Sequence, residues 1–303
     1  MHGRDFKPSA ETLHEICIEA LGSGLQRDCP VQADAFAALN TELAYYADLS
    51  AEVLSAEGKH YDEVLDVGDR RNALAALQAI KPRKKFGIRR YDKLPGKSAL
   101  AEFIANIAAP VLGALGLWGW LCCRCAPDFA HYFDEQSAYG EAVRERVRSR
   151  LVAMLEAGDR VMLLSHGTGS VVAWDVLWEL SHKEPYASEL KERKVDVWVT
   201  LGSPLSDAQV QKRIFGAREK SLARWPGNVI SWCNVAAEDD YTCHDNTLAD
   251  DFRHMLNERR LSAVTDYKIY NHAVRYGKSN PHSSVGYYIH PRVTKILADW
   301  LQT

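Results

Sequence analysis

One stretch constrains this chain more than any other: Val161-Met162-Leu163-Leu164-Ser165-His166-Gly167-Thr168-Gly169-Ser170-Val171-Val172-Ala173-Trp174-Asp175. It opens as an apolar run of strand character and turns through small residues. It leaves as an apolar helix carrying Val171, Val172, Trp174, Leu177 and Leu180. A strand driven into a helix over so few residues needs a sharp turn with a strained backbone at its apex. The residues flanking the apex must be small, because the helix packs close against the strand. Ser165 and Gly169 meet that demand, and the apex itself is Gly167. Such a unit points to an α/β chain.

With 303 residues, 47% of them hydrophobic, the chain can bury a full α/β core and still carry an insertion. A formal charge of -3 argues against nucleic acid as a general partner. Seven cysteines is an odd number, thinly spread apart from Cys122, Cys123 and Cys125. That is no disulfide framework, and it points to a reducing compartment. The polar start Met1-His2-Gly3-Arg4-Asp5 lacks the apolar core of a secretory signal. A cytoplasmic setting is therefore expected.

Ser9 is placed to cap a helix in which Leu13, Ile16, Cys17, Ala20 and Leu21 recur at helical spacing. Gly22-Ser23-Gly24 should weaken its end. Leu43 to Ala47 reads as a short strand closed by Asp48-Leu49-Ser50. Glu63 to Ile80 reads as an amphipathic helix with Leu74, Leu77 and Ile80 on one side. A strongly basic stretch, 81–93, is followed by Phe103 to Cys123, about 21 residues without a charge, enough to span a bilayer. Tyr139 to Leu155 repeats Val143, Val147, Leu151 and Leu155 on one helical face, and Gly158-Asp159 ends it. Further strands are expected at Val197 to Leu201, Val229 to Val235 and Tyr267 to Tyr270. A closing helix is expected from Tyr287 to Leu301, with Pro291 in its first turn. No internal repeat is visible.

Several of these stretches, taken together, resemble the serine lipase and esterase branch of the α/β-hydrolases. The strand–turn–helix around Gly167 looks like the G-x-S-x-G nucleophile elbow. Val197-Trp198-Val199-Thr200-Leu201-Gly202-Ser203-Pro204-Leu205 looks like the next strand and its loop. Trp232-Cys233-Asn234-Val235, followed by Glu238-Asp239-Asp240, looks like the strand that carries the acid. Asn280-Pro281-His282-Ser283-Ser284 looks like the histidine loop. The order elbow, acid, histidine is that of the hydrolases. The likeness covers 130–303, and His2-Gly3 extends it to the oxyanion loop. In this family His-Gly ends a buried strand, whereas here it follows Met1 directly. Either the gene start lies upstream of Met1 or the strand is lacking.

The resemblance implies an α/β-hydrolase core over 1–49 and 128–303, with a mostly parallel central sheet flanked by helices, and a helical cap or lid over 50–127. It implies a carboxylic ester as substrate, small or lipidic, with no cofactor and no metal. His282 would be the base. Asp240 would be the acid, preferred over Asp239 because lipases place it just before an apolar-bearing turn. The oxyanion donors would be the amides of Thr168 and of Gly3 or Arg4. Arg4 and Asp5 would stand at the substrate entrance or form a structural ion pair. The departure is Gly167, which stands where the attacking serine belongs. The chain is then a natural pseudoenzyme or an engineered inactive form of an enzyme, or else Ser165 or Ser170 substitutes. The last is disfavoured, since Ser165 should point away and Ser170 lies inside the helix. Without the serine a small void is expected between His282 and the elbow. The uncharged run reads first as the buried face of the cap and second as a membrane contact, with 81–123 as the peripheral surface. Cys122, Cys123 and Cys125 could be acylated, and one C-x-x-C alone is weak for zinc. Oligomeric state is left open.

Overall fold

The computed structural model describes residues 1–81, 86–96, 126–243 and 247–303. Four parallel strands form the central sheet in chain order: β1 (Met162–His166), β2 (Val195–Leu201), β3 (Val229–Ala237) and β4 (Ala263–Ile269). A two-stranded antiparallel hairpin, β5 (Val274–Arg275) and β6 (Lys278–Ser279), follows. The longer helices are α1 (Ala10–Asp28), α2 (Ala47–Ala56), α3 (Glu63–Gln78), α4 (Ala138–Ala157), α5 (Gly169–His182) and α7 (Pro291–Gln302), with the short α6 (Ser284–Tyr288) before the last.

The sheet is covered on both faces, and strand alternation divides the core in two. Trp198 and Trp232 are register partners on β2 and β3 and stack at 4.5 Å between ring centroids. They point to one face, where Val143, Val147, Leu151 and Leu155 of α4 join Trp174 and Leu177 of α5. Val199, Leu201 and Val235 point to the other, against Ile16 and Leu25 of α1, Leu74 and Leu77 of α3, and Val293 and Leu297 of α7. Helix α3, inside the stretch expected to form a cap, packs on α1 and α6 and shares this second core. The run 103–123 and Cys122, Cys123 and Cys125 lie outside the described residues, as does 82–85 of the basic stretch.

Three local expectations need correction. Leu43 to Tyr46 forms no ladder, and Ala47 opens α2, so Asp48 to Ser50 are helical. The β-propensity of Tyr45 and Tyr46 is overridden by tertiary partners: the Tyr46 amide donates to His2 Nε2 (3.1 Å), and Tyr45 Oη donates to the Pro8 carbonyl (3.0 Å). Helix α1 does not end at Gly22-Ser23-Gly24 but runs on to Asp28. Gly24 is there for packing, since a Cβ would stand 2.3 Å from Thr294 Cγ2 of α7. The final helix is two: α6 ends at Tyr288, and α7 starts afresh at Pro291 with the His290 side chain capping the Arg292 amide. Proline lacks the N–H that a continuing helix would need, so it sits at the first position of the second one. At the open edge of β1 Met1 makes a one-residue parallel pairing, its ammonium donating to the Leu164 carbonyl (2.7 Å) and its carbonyl accepting from the His166 amide (3.3 Å).

Candidate active site

The carboxyl ends of the strands meet at one edge of the sheet, where parallel α/β proteins place their sites. β1 runs through His166 into Gly167, whose amide donates to the Leu201 carbonyl of β2 (2.8 Å). Gly167 has φ of 56°, a left-handed conformation that glycine adopts without strain and serine does not. Thr168 follows, and α5 starts at Gly169. Gly169 has to be glycine because a Cβ would stand 2.3 Å from the His2 carbonyl oxygen. β3 ends at Ala237, and the turn beyond it holds Asp239 at φ 61° and Asp240.

Asp240 and His282 are paired. The imidazole Nδ1 lies 3.0 Å from Asp240 Oδ1 and 2.9 Å from Oδ2. The carboxylate accepts two further hydrogen bonds, from Tyr287 Oη (2.7 Å) and from the Thr242 amide (3.0 Å). Burial pushes its carboxyl pKa up, but the His282 charge and these donors outweigh burial and hold it below the usual carboxylate range. Asp239 is engaged elsewhere: Tyr91 Oη donates to its Oδ2 (3.0 Å) and to the Glu238 carbonyl (2.8 Å). Two neighbouring aspartates that sequence could only rank are thus separated by their partners.

The far edge of the imidazole faces the elbow. A Cβ built on Gly167 would stand 2.9 Å from His282 Nε2 and 3.1 Å from Cε1. The void expected there is therefore filled at the Cβ position by the ring itself. In the neutral ring, Nδ1–H given to the carboxylate leaves Nε2 as the acceptor, and Nε2 has no hydrogen-bond partner among the described residues. The side chain of His282 is 38% exposed and that of Asp240 is fully buried, so solvent reaches the base and not the acid.

The His2-Gly3 loop also comes close to the elbow. Gly3 Cα is 3.9 Å from the same Cβ point on Gly167. A Cβ on Gly3 would meet the His166 carbonyl at 3.0 Å and the Thr168 amide nitrogen at 3.5 Å, so a side chain here would crowd the turn. The Arg4 amide is already given to Thr168 Oγ1 (2.8 Å). That leaves the amides of Gly3 and Thr168, neither of which has a protein acceptor among the described residues. Lys7 Nζ donates to the carbonyls of Arg4 (2.5 Å) and Phe6 (3.1 Å), tying the loop down from outside. Asp5 donates its amide to Asp128 Oδ2 (2.7 Å), and its own carboxylate accepts from the Phe6 amide (2.9 Å).

The hydroxyls near the elbow are turned elsewhere. Ser165 Oγ accepts from Trp198 Nε1 (2.9 Å) on the sheet face. Ser170 Oγ donates to the Gly167 carbonyl (2.6 Å) and contacts Ser203 Oγ (2.7 Å). Thr168 Oγ1 accepts from Arg4. None of the three is in place to give a proton to His282.

Three residues of this constellation escaped sequence reasoning. Tyr287 lies fully buried on α6 and orients Asp240 while its oxygen accepts from the Ala237 amide (2.9 Å). His166, next to the apex, donates from Nε2 to the His282 carbonyl (2.9 Å); burial above all keeps its pKa well below the ordinary value. Gly202 follows β2 at φ 58°, and a Cβ there would lie 2.7 Å from Asp240 Oδ2, 3.0 Å from Tyr287 Oη and 3.1 Å from His282 Nδ1. Only Gly202 had a sequence signal, its place directly after a strand. Among the described residues no group of three or more His, Cys, Asp or Glu side chains could hold a metal ion, and no helix is long and apolar enough to cross a membrane. No family model, curated protein or solved structure matches the chain.

Proposed function

We propose that this chain carries a lipase- or esterase-like site for carboxylic esters, small or lipidic, from which the attacking serine is missing. One observation carries the reading. A histidine oriented by a buried aspartate presents its free nitrogen 2.9 Å from the point where a side chain at 167 would begin. Acyl transfer needs that base beside the nucleophile, with amide donors opposite for the developing oxyanion. The Gly3 and Thr168 amides, close to the same apex and without a protein acceptor among the described residues, are the candidates for those donors.

The test is Gly167→Ser, assayed on p-nitrophenyl esters of graded acyl length. Serine must accept a positive φ, and the imidazole must yield by a few tenths of an ångström. Both shifts are small beside the value of a covalent nucleophile, and a gain of at least roughly 10³-fold over the parent is expected. No gain at any acyl length would sink the proposal.

A second reading, binding without turnover, is favoured by the imidazole edge lying over Gly167. In that case the pocket holds an acyl ligand or a protein segment and Gly167→Ser gains nothing.

A further inference from the structure

We propose that the chain as it stands hydrolyses activated carboxylic esters by single displacement, with His282 as general base for a water molecule. The inference rests on the acyl-transfer reading of the site and concerns what remains when the covalent route is closed.

Four observations carry it. His282 is an assembled base: Nδ1 is held by a buried carboxylate, and Nε2 is without a protein partner among the described residues. No side-chain hydroxyl among the described residues hydrogen-bonds Nε2, and those of Ser165, Thr168 and Ser170 are engaged with other partners. The His282 side chain is 38% exposed, so solvent reaches the ring. Close to the same apex, the Gly3 and Thr168 amides have no acceptor among the described residues. A base with no described hydroxyl bonded to it, near free amide donors, is arranged for an external nucleophile.

The step balances as follows. A water O–H gives its proton to Nε2 as its oxygen bonds the acyl carbon. The carbonyl oxygen takes up the negative charge against the Gly3 and Thr168 amides. On collapse the bond from acyl carbon to leaving oxygen breaks. A nitrophenolate leaves as the anion, and the imidazolium returns its proton to solvent; an alkoxide would instead take that proton. Asp240 stays a carboxylate throughout, and no acyl-enzyme forms.

The experiment compares the parent chain, His282→Ala, Asp240→Asn and Gly167→Ser on p-nitrophenyl acetate, each first checked for a parent-like far-UV spectrum and melting transition. The parent should hydrolyse the ester faster than buffer. His282→Ala should lose about 10²-fold, the lower end of what a positioned general base supplies, and Asp240→Asn should lose part of that. The parent should show no burst of nitrophenol and no acetylated species by intact mass, whereas Gly167→Ser shows both. A parent rate equal to that of His282→Ala, or equal to buffer, overturns the inference. If Gly167→Ser is active all the same, only the water route has failed. If Gly167→Ser is inactive too, the acyl-transfer reading has failed with it. An acetylated parent would overturn the inference from the other side, by revealing a protein nucleophile.

Discussion

At the scale of single residues, the candidate site depends on atoms that do no chemistry. Tyr287 gives its hydroxyl hydrogen to Asp240 and takes one from the Ala237 amide. Removing that oxygen takes one donor from a buried carboxylate and strands a buried amide at once. A hydrogen bond to a charged group contributes about 1.5–3 kcal/mol, so Tyr287→Phe should lower stability by about 2 kcal/mol, read from urea midpoints. In the Gly167→Ser background it should also reduce kcat more than KM, because Asp240 then holds the imidazole less firmly. Unchanged kinetics would confine Tyr287 to packing. The dyad was legible in the sequence because the order of loops along the chain mirrors the order of strands in the sheet. Tyr287 was not, because its role comes from where α6 folds back over β3, which no local pattern encodes.

Among the elements, α3 is the one whose placement was least legible. Its helical period was plain, and the structure bears out Leu74 and Leu77 as buried. Its neighbours were not. Asp66 accepts from Arg70 Nε (2.8 Å), from Arg275 (2.6 Å) and from Tyr61 Oη (2.9 Å), and Asp69 pairs with Arg275 Nε and accepts from the Tyr276 amide (2.7 Å). This buried cluster ties α3 to the β5–β6 hairpin that leads into the His282 loop. Removing one partner leaves charge buried without compensation, which costs about 3–5 kcal/mol. Asp66→Ala should destabilise by that order and speed amide exchange in 274–279 before the sheet exchanges. Equal exchange throughout would mean that the hairpin is held by other contacts. Strands β2 and β3 were legible from apolar runs bounded by turn residues, whereas the strand expected at Tyr267 to Tyr270 caught only the end of β4, whose first residues, Ala263 to Asp266, form no apolar run. The expected strand at Leu43 to Ala47 was not real, because an aromatic pair can satisfy itself on a histidine as well as in a ladder.

For the whole molecule, the sequence indicated a parallel α/β sheet, and four parallel strands are present. The division of labour between its faces emerges only in three dimensions, and so does the burial of histidines that read as ordinary. His2 accepts from the Tyr46 amide at Nε2, so Nδ1 carries the proton given to the Gly3 carbonyl, and the neutral ring is the one that fits. Burial above all lowers the pKa of both His2 and His166 well below 6.5. In the unfolded chain these groups take up protons as pH falls through 6.5; in the folded chain they do not. Their contribution is fully present above pH 6.5 and is lost as pH falls toward the folded values. Urea midpoints should therefore decline from pH 8 to pH 5, and His166→Gln should show a shallower decline than the parent. Parallel pH profiles for the two proteins would remove His166 from the account.

The stacked pair Trp198 and Trp232 has an optical consequence. Two indoles at 4.5 Å with planes 18° apart are close enough to couple their transitions, so the circular dichroism of the folded chain is expected to carry a two-signed band that Trp198→Phe should remove. The pair bridges β2 and β3 directly beneath the loops that hold Gly202 and Asp240. That band reports whether the floor of the candidate site is assembled, with no substrate and no label.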